Sequence, residues 1–195
     1  MTELDIVNKM LALEGQSPLA SLDDEHPMMS ACRDIIDRVS DVQQSRGLWY
    51  NTFRETWQPE ADGKIYLPDD TLKLDSIPHI PGLIIALMGN VLMDMDDRPI
   101  ERSVDIYRTR RLPIRMLPPI VAHCIASECC LIYAQSHIKD PSEVQVAQQQ
   151  LKEATVAVNA EHIRQARFNT YYHSERVRRV SYAYGRNPVN RIRGF

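Results

Sequence analysis

At Ser45-Arg46-Gly47 the hydrophobic period of the chain changes from that of a helix to that of a strand. Upstream, Met28, Cys32, Ile35, Val39 and Val42 recur at steps of four, three, four and three. That spacing puts them on one helical stripe, with Arg33, Asp34, Asp37, Arg38 and Asp41 mostly turned away. Gly47 is the expected stop, because only glycine enters the left-handed region without a Cβ penalty. From Leu48 the period is two: Trp49, Phe53 and Trp57 fall on one face, and Tyr50, Thr52 and Arg54 on the other. The chain must therefore house helix and sheet in one fold, with an aromatic ribbon beginning where a helix ends.

The rest of the chain divides around this switch. Thr2 and Asp5 form a capping-box pattern for a first helix whose buried face is Ile6, Val7, Met10 and Leu11, and Gly15 sits where a left-handed cap is needed. Pro27 suits the first turn of the second helix. After the aromatic ribbon, Asp62-Gly63 reads as a hairpin turn, Ile65 and Leu67 continue the inward alternation, and Leu72 and Leu74 mark a short strand before Pro78 and Pro81 interrupt. Gly89-Asn90 turns a second hairpin, between "LIIALM" and "VLMDMDD", and "VDIYRTRRL" is expected to close the sheet.

Pro118-Pro119 opens a third helix that is apolar on most sides, as a central or doubly covered helix is. Asp140-Pro141-Ser142 starts a fourth, expected to reach about Phe168, with Val144, Ala147, Leu151, Ala154 and Val158 on a supercoil-compatible stripe. The fold class expected is α+β: a four-helix bundle from residues 1–47 and 118–168, an inserted antiparallel β-rich region over 48–117, and an extended basic C-terminal arm over 169–195.

Charge separates the arm from the body. Residues 169–195 hold six arginines and one acid, about +5, so a net charge of −3 leaves residues 1–168 near −8. Arg176, Arg178, Arg179, Arg186, Arg191 and Arg193 are interleaved with Tyr182, Tyr184 and Phe195. Such residues neutralise phosphates and stack on bases, and they are equally at home at protein interfaces. A solubilising tail is the plainer reading of the same composition.

Conventional chemistry finds little footing. His123, Cys124, Cys129 and Cys130 lack the i,i+3 or i,i+4 pairing and the C-x-x-C spacing of a zinc site, so core packing is expected for the cysteines and no metal or cofactor is. Asp94, Asp96 and Asp97 lack the glycine and distal glutamate of a calcium loop and read as the wet face of a strand. There is no G-x-S-x-G elbow and no glycine-rich phosphate loop, so no catalytic residue is assigned and the chain is read as a non-enzyme. The most apolar run, "IVAHCIASECCLIYA", carries His123 and Glu128 at its centre and is not read as a membrane span. The acidic opening Met1-Thr2-Glu3-Leu4-Asp5 does not read as a signal peptide, so synthesis in a reducing cytoplasm is expected.

In order along the chain, "VNKMLALEGQSPLASLDD", "QSRGLWYNTF", "GKIYLPDDTLKLD" and "LMDMDDR" resemble the tail tubular protein A family, head-to-tail adaptors of short-tailed phages. Leu48 and Tyr50 depart from the family's tryptophan and phenylalanine, and the Arg-rich C-terminus matches no family motif. The resemblance covers about residues 4–97, with the later helices alike in position and character only. It implies a non-enzymatic virion protein, made in the host cytoplasm, that forms a twelvefold ring between the portal protein and the tail nozzle, with double-stranded DNA passing through transiently. On that reading the arginine and aromatic residues of the arm grip the portal, and Trp49, Phe53 and Trp57 supply contact area in the β region. The alternative is a nucleic-acid-binding module acting through the C-terminal arm.

Overall fold

The computed structural model describes residues 1–76, 83–138 and 140–173. In chain order the elements are α1 (Glu3–Ala12), α2 (Met29–Gln44), β1 (Thr52–Trp57), β2 (Ile65–Tyr66), β3 (Thr71–Ser76), β4 (Ile85–Met88), β5 (Val91–Asp94), β6 (Val104–Arg110), α3 (Pro119–His137) and α4 (Pro141–His173). The α+β class is as expected from the change of period.

Local chemistry fixes the helix ends. The Thr2 hydroxyl accepts from the Asp5 amide at 3.2 Å while the Asp5 carboxylate accepts from the Thr2 amide at 2.7 Å, a complete capping box. Gly15 and Gly47 both take positive φ, 69° and 67°, just beyond α1 and α2. Pro27 lies outside α2, which starts at Met29 with Met28 as its N-cap. Pro119 occupies the first turn of α3, where its missing donor costs nothing.

The four helices do not form a closed bundle. α3 is the hub: α1, α2 and α4 each pack against it, and α1 also touches α2, whereas α4 has α3 as its principal neighbour. The physical reason lies in the widths of the apolar faces. α3 buries Val121, Ala122, Cys124, Ile125, Cys129 and Tyr133 around much of its circumference, while α4 offers one stripe, with Ala147, Ala154 and Val158 buried and Val144 and Leu151 half-buried. One stripe covers one neighbour. α4 also continues to His173, so residues 169–173 extend a helix expected to stop near Phe168.

On α2, Cys32, Ile35 and Val39 face the core as their spacing requires, but Val42 is exposed. Ile36, Ser40 and Gln44 take the inward side instead, because the end of α2 turns toward the chain leaving the β region. The three buried thiols, Cys32, Cys124 and Cys129, pack within the helical core. Burial pushes all of these thiols up, that of Cys32 to about 11.

The β region is two three-stranded antiparallel sheets rather than one, ordered β1-β6-β3 and β2-β5-β4. β6 does not close a sheet at its edge but forms the centre of the first, since Val104, Ile106, Arg108 and Thr109 are all buried. Ile65, Leu67, Leu92, Ile100, Val104 and Ile106 form a second core between the sheets, separate from the helical one. Asp62-Gly63 is a turn, with Gly63 at φ 74°, yet it joins no hairpin, because β1 pairs with β6 and β2 with β5. Gly89-Asn90 does turn the β4–β5 hairpin, bringing Met88 opposite Val91.

Candidate assembly surfaces

The chain enters the β region at residues 48–51 and leaves it at 110–112, and two buried amides fasten both crossings to the end of α2. Asn51, fully buried, accepts from the Leu48 amide at 3.0 Å and donates to the carbonyls of Gln44 at 2.8 Å and Arg110 at 3.1 Å. Gln44, also fully buried, donates to the Leu112 carbonyl at 3.0 Å and to Ser40 Oγ at 2.8 Å, while its own oxygen accepts from the Leu112 amide at 2.8 Å. Each side-chain amide thereby satisfies its donors and its acceptor inside the protein, where an unpaired group is costly. Arg111 adds an outer strap, 2.6 Å from Asp37 and 3.0 Å from Asp41 across a shallow cleft. Arg46 ties the same end of α2 to α4 by donating to Asn159 at 2.6 Å.

Beyond this junction, β1 and β6 place two arginines against two carboxylates. Phe53, Glu55 and Trp57 share one face of β1, as their period requires, and the register sets Phe53 opposite Arg108 and Glu55 opposite Ile106. Arg108 is buried, and donates to Glu55 at 2.8 and 3.2 Å, to Asp70 at 2.6 Å and to Thr71 Oγ1 at 3.0 Å. Arg110 reaches Asp70 at 3.1 Å and Glu55 at 3.7 Å. Their guanidinium carbons lie over the aromatic rings, Arg108 5.6 Å from Trp57 and Arg110 5.3 Å from Phe53, within cation–π range. Burial opposes ionisation of Glu55 and Asp70, but the hydrogen bonds and charge of the arginines outweigh it and hold both carboxyls below the usual range.

The three aromatic residues singled out in the ribbon are not brought together. Trp49 lies in the turn before β1, half-buried against the helical core, edge-on to Tyr50 at 5.4 Å and 6.0 Å from the His162 ring of α4. Period-two reading failed at Trp49 because the ribbon begins only at Thr52, after the turn that Asn51 stabilises. Trp57 packs on the inter-sheet core and donates to Glu55 at 3.1 Å, and Phe53 is partly open to solvent. The arm residues Arg176, Arg178, Arg179, Tyr182, Tyr184, Arg186, Arg191, Arg193 and Phe195 lie outside the described residues.

The acidic cluster is also not a wet strand face. Asp94 is buried, accepting from the Ile84 amide at 2.6 Å and from Arg98 Nε at 2.7 Å. Hydrogen bonds from Arg98, and then from the backbone amides, hold its carboxyl at about 2. Asp94 pins β4 to the turn after β5, and Leu92 and Asp94 form the inner face while Val91 and Met93 look outward. Among the described residues no group of three histidine, cysteine, aspartate or glutamate side chains is placed to hold a metal, and no helix is long and apolar enough to cross a membrane.

Gln44, Asn51 and the Arg108–Glu55–Asp70 cluster were not singled out from sequence. A signal existed for the arginines, since Val104, Ile106, Arg108 and Arg110 share one parity and so point to one face. None existed for the amides, because the contacts that tie them to the returning chain are to backbone groups 59 to 68 residues away.

The sequence model of a family described as tail tubular protein matches residues 4–168. No curated protein matches the chain.

Proposed function

Since the chain belongs to the tail tubular protein family, whose members are structural components of phage tails, we propose that it is the adaptor of the head-to-tail junction. Copies form a ring, twelvefold by the family resemblance, that joins the portal to the tail nozzle and leaves a channel for double-stranded DNA. The observation that carries this reading is the bolted junction. Two buried amides and an arginine strap fasten the ends of β1 and β6 to the end of α2, which suits a part that bridges two neighbours under load.

In this arrangement the helices form the frame of the ring and the sheets project toward the nozzle, with Phe53 and Trp57 near the contact. Trp49 acts from behind, setting how α4 meets the start of the β region. The basic C-terminal segment, residues 169–195, grips the portal through its arginine and aromatic side chains. Sedimentation of the purified chain with and without portal rings tests the proposal: co-migration supports it, and independent migration at all concentrations refutes it. A chain truncated after His173 is expected to lose portal binding while keeping its fold. If it instead loses DNA binding that falls steeply with salt, the segment serves nucleic acid.

A further inference from the structure

α4 is longer than the helix it packs on. Its 33 residues span about 50 Å at roughly 1.5 Å per residue, against about 28 Å for the 19 residues of α3. Cys124 of α3 lies beside Thr155 of α4, Sγ to Oγ1 3.8 Å, so α3 begins about where α4 passes residue 160. Val158 is the last buried residue of α4 among those described. Residues 159–173 continue as helix for about another 22 Å. A helix of that length is marginal in water by itself, since its nucleation is costly and its stability comes from packing. It has to be rooted.

At the root of this outer half, the turn between α2 and β1 reaches across to α4. Arg46 Nη2 donates to Asn159 at 2.6 Å while its Nη1 donates to Gln43 at 3.0 Å, and Gln43 donates in turn to Glu128 of α3. Arg46 and Asn159 are both exposed, so their bond alone is worth little. Three residues further along the same face of α4, the His162 ring lies 6.0 Å from that of Trp49, tilted by 32°. His162 Nδ1 is buried without a hydrogen-bond partner among the described residues, so the ring is held by its contact with Trp49 and not by a bond. The indole is in turn set by the edge of Tyr50. Two adjoining contacts thus grip α4 just where its packing on α3 ends.

We propose that the α2–β1 turn is a latch for the outer half of α4. Through Arg46 and Trp49 it keeps residues 159–173 helical, and so fixes the direction in which the basic segment leaves the body. The proposal rests on the adaptor reading only in naming the portal as what that segment meets. The same turn ends at Asn51, which fastens the chain where it enters the β region. One loop therefore sets both the start of the sheets and the aim of the C-terminal segment.

Hydrogen–deuterium exchange along α4 of the full chain tests the latch, with Arg46→Ala and with the double variant Arg46→Ala/Trp49→Leu. Neither change falls in α4, so its helix propensity is untouched, and Arg46 is exposed, so the single variant keeps its fold. Amides of residues 163–173 should exchange about threefold faster in the single variant and about tenfold faster in the double. Those of residues 145–158 should stay as protected as in the unaltered chain. Binding of the double variant to purified portal rings should weaken by about tenfold as well, because a segment no longer aimed must be ordered on docking. Unchanged exchange over 163–173 in the double variant, or exchange raised equally along the whole helix, would overturn the latch whatever the portal does. Faster exchange with undiminished portal binding would overturn the aiming role. An unaltered chain that ignores portal rings would overturn the adaptor reading, and exchange alone would still decide the latch.

Discussion

Replacing Asn51 by alanine removes three hydrogen bonds at once from a position with no access to water. The Leu48 amide loses its acceptor, a buried donor left unpaired at about 1–3 kcal/mol. The Arg110 carbonyl loses a donor, and the Gln44 carbonyl keeps only the Gly47 amide at 3.2 Å, which adds a further 1–2 kcal/mol or so. The expected total is about 2–5 kcal/mol, or a melting point lower by about 5–15 °C for a chain of this size. Asn51→Asp is the sharper control. It preserves the acceptor for Leu48 but sets a carboxylate oxygen against two carbonyls, so it should be as damaging as alanine at neutral pH. The buried acid has a raised pKa in the fold, so the folded state binds the proton more tightly and the variant should regain stability as pH falls. Urea titrations of both variants at pH 7 and pH 5, followed by far-ultraviolet circular dichroism, make the measurement. A loss below about 0.5 kcal/mol for alanine, the scale of an ordinary surface change, would refute the junction as described.

Three further outcomes follow from the same structure. Arg108→Ala leaves Glu55 and Asp70 with Arg110 as their cationic partner and should cost about 1–3 kcal/mol in urea unfolding, the scale of lost hydrogen bonds to charged groups. The folded-state carboxyls of Glu55, Asp70 and Asp94 lie below their ordinary values. Their stabilisation is therefore complete above the unfolded-state range and should be lost as pH falls from about 4.5 toward about 2, which acid titration of the unfolding midpoint checks. Gly63→Ala would bring a Cβ within 2.5 Å of Pro99 at a φ of 74°, and should lower the unfolding midpoint by the equivalent of about 1–3 kcal/mol.

Helix positions were legible because they depend on local chemistry. Thr2 with Asp5, Pro119, Gly47 and the α4 stripe each act within one or two turns of the chain. Strand positions were legible from period two, and the Gly89-Asn90 hairpin from its turn residues. Pairing was not: β1 meets β6 across some fifty residues, and nothing local distinguishes that partner from the nearer β2. Asp94 escaped for a different reason: its partners, Arg98 four residues on and the Ile84 amide ten residues back, are close in the chain, but a carboxylate in a period-two pattern reads as solvent-facing unless its pairing is known. Blindness to distance also enlarged the bundle, since a single apolar stripe on α4 shows that it packs but not on how many neighbours. The junction amides were the hardest to foresee, because Gln44 and Asn51 owe their roles to backbone groups brought in by the return of the chain after β6.

The account stands or falls on assembly. Electron micrographs of the purified chain mixed with purified portal rings should show a closed ring of this protein seated on one face of the portal, concentric with its channel. A portal left bare at saturating concentrations, with the chain remaining monomeric beside it, would contradict the account.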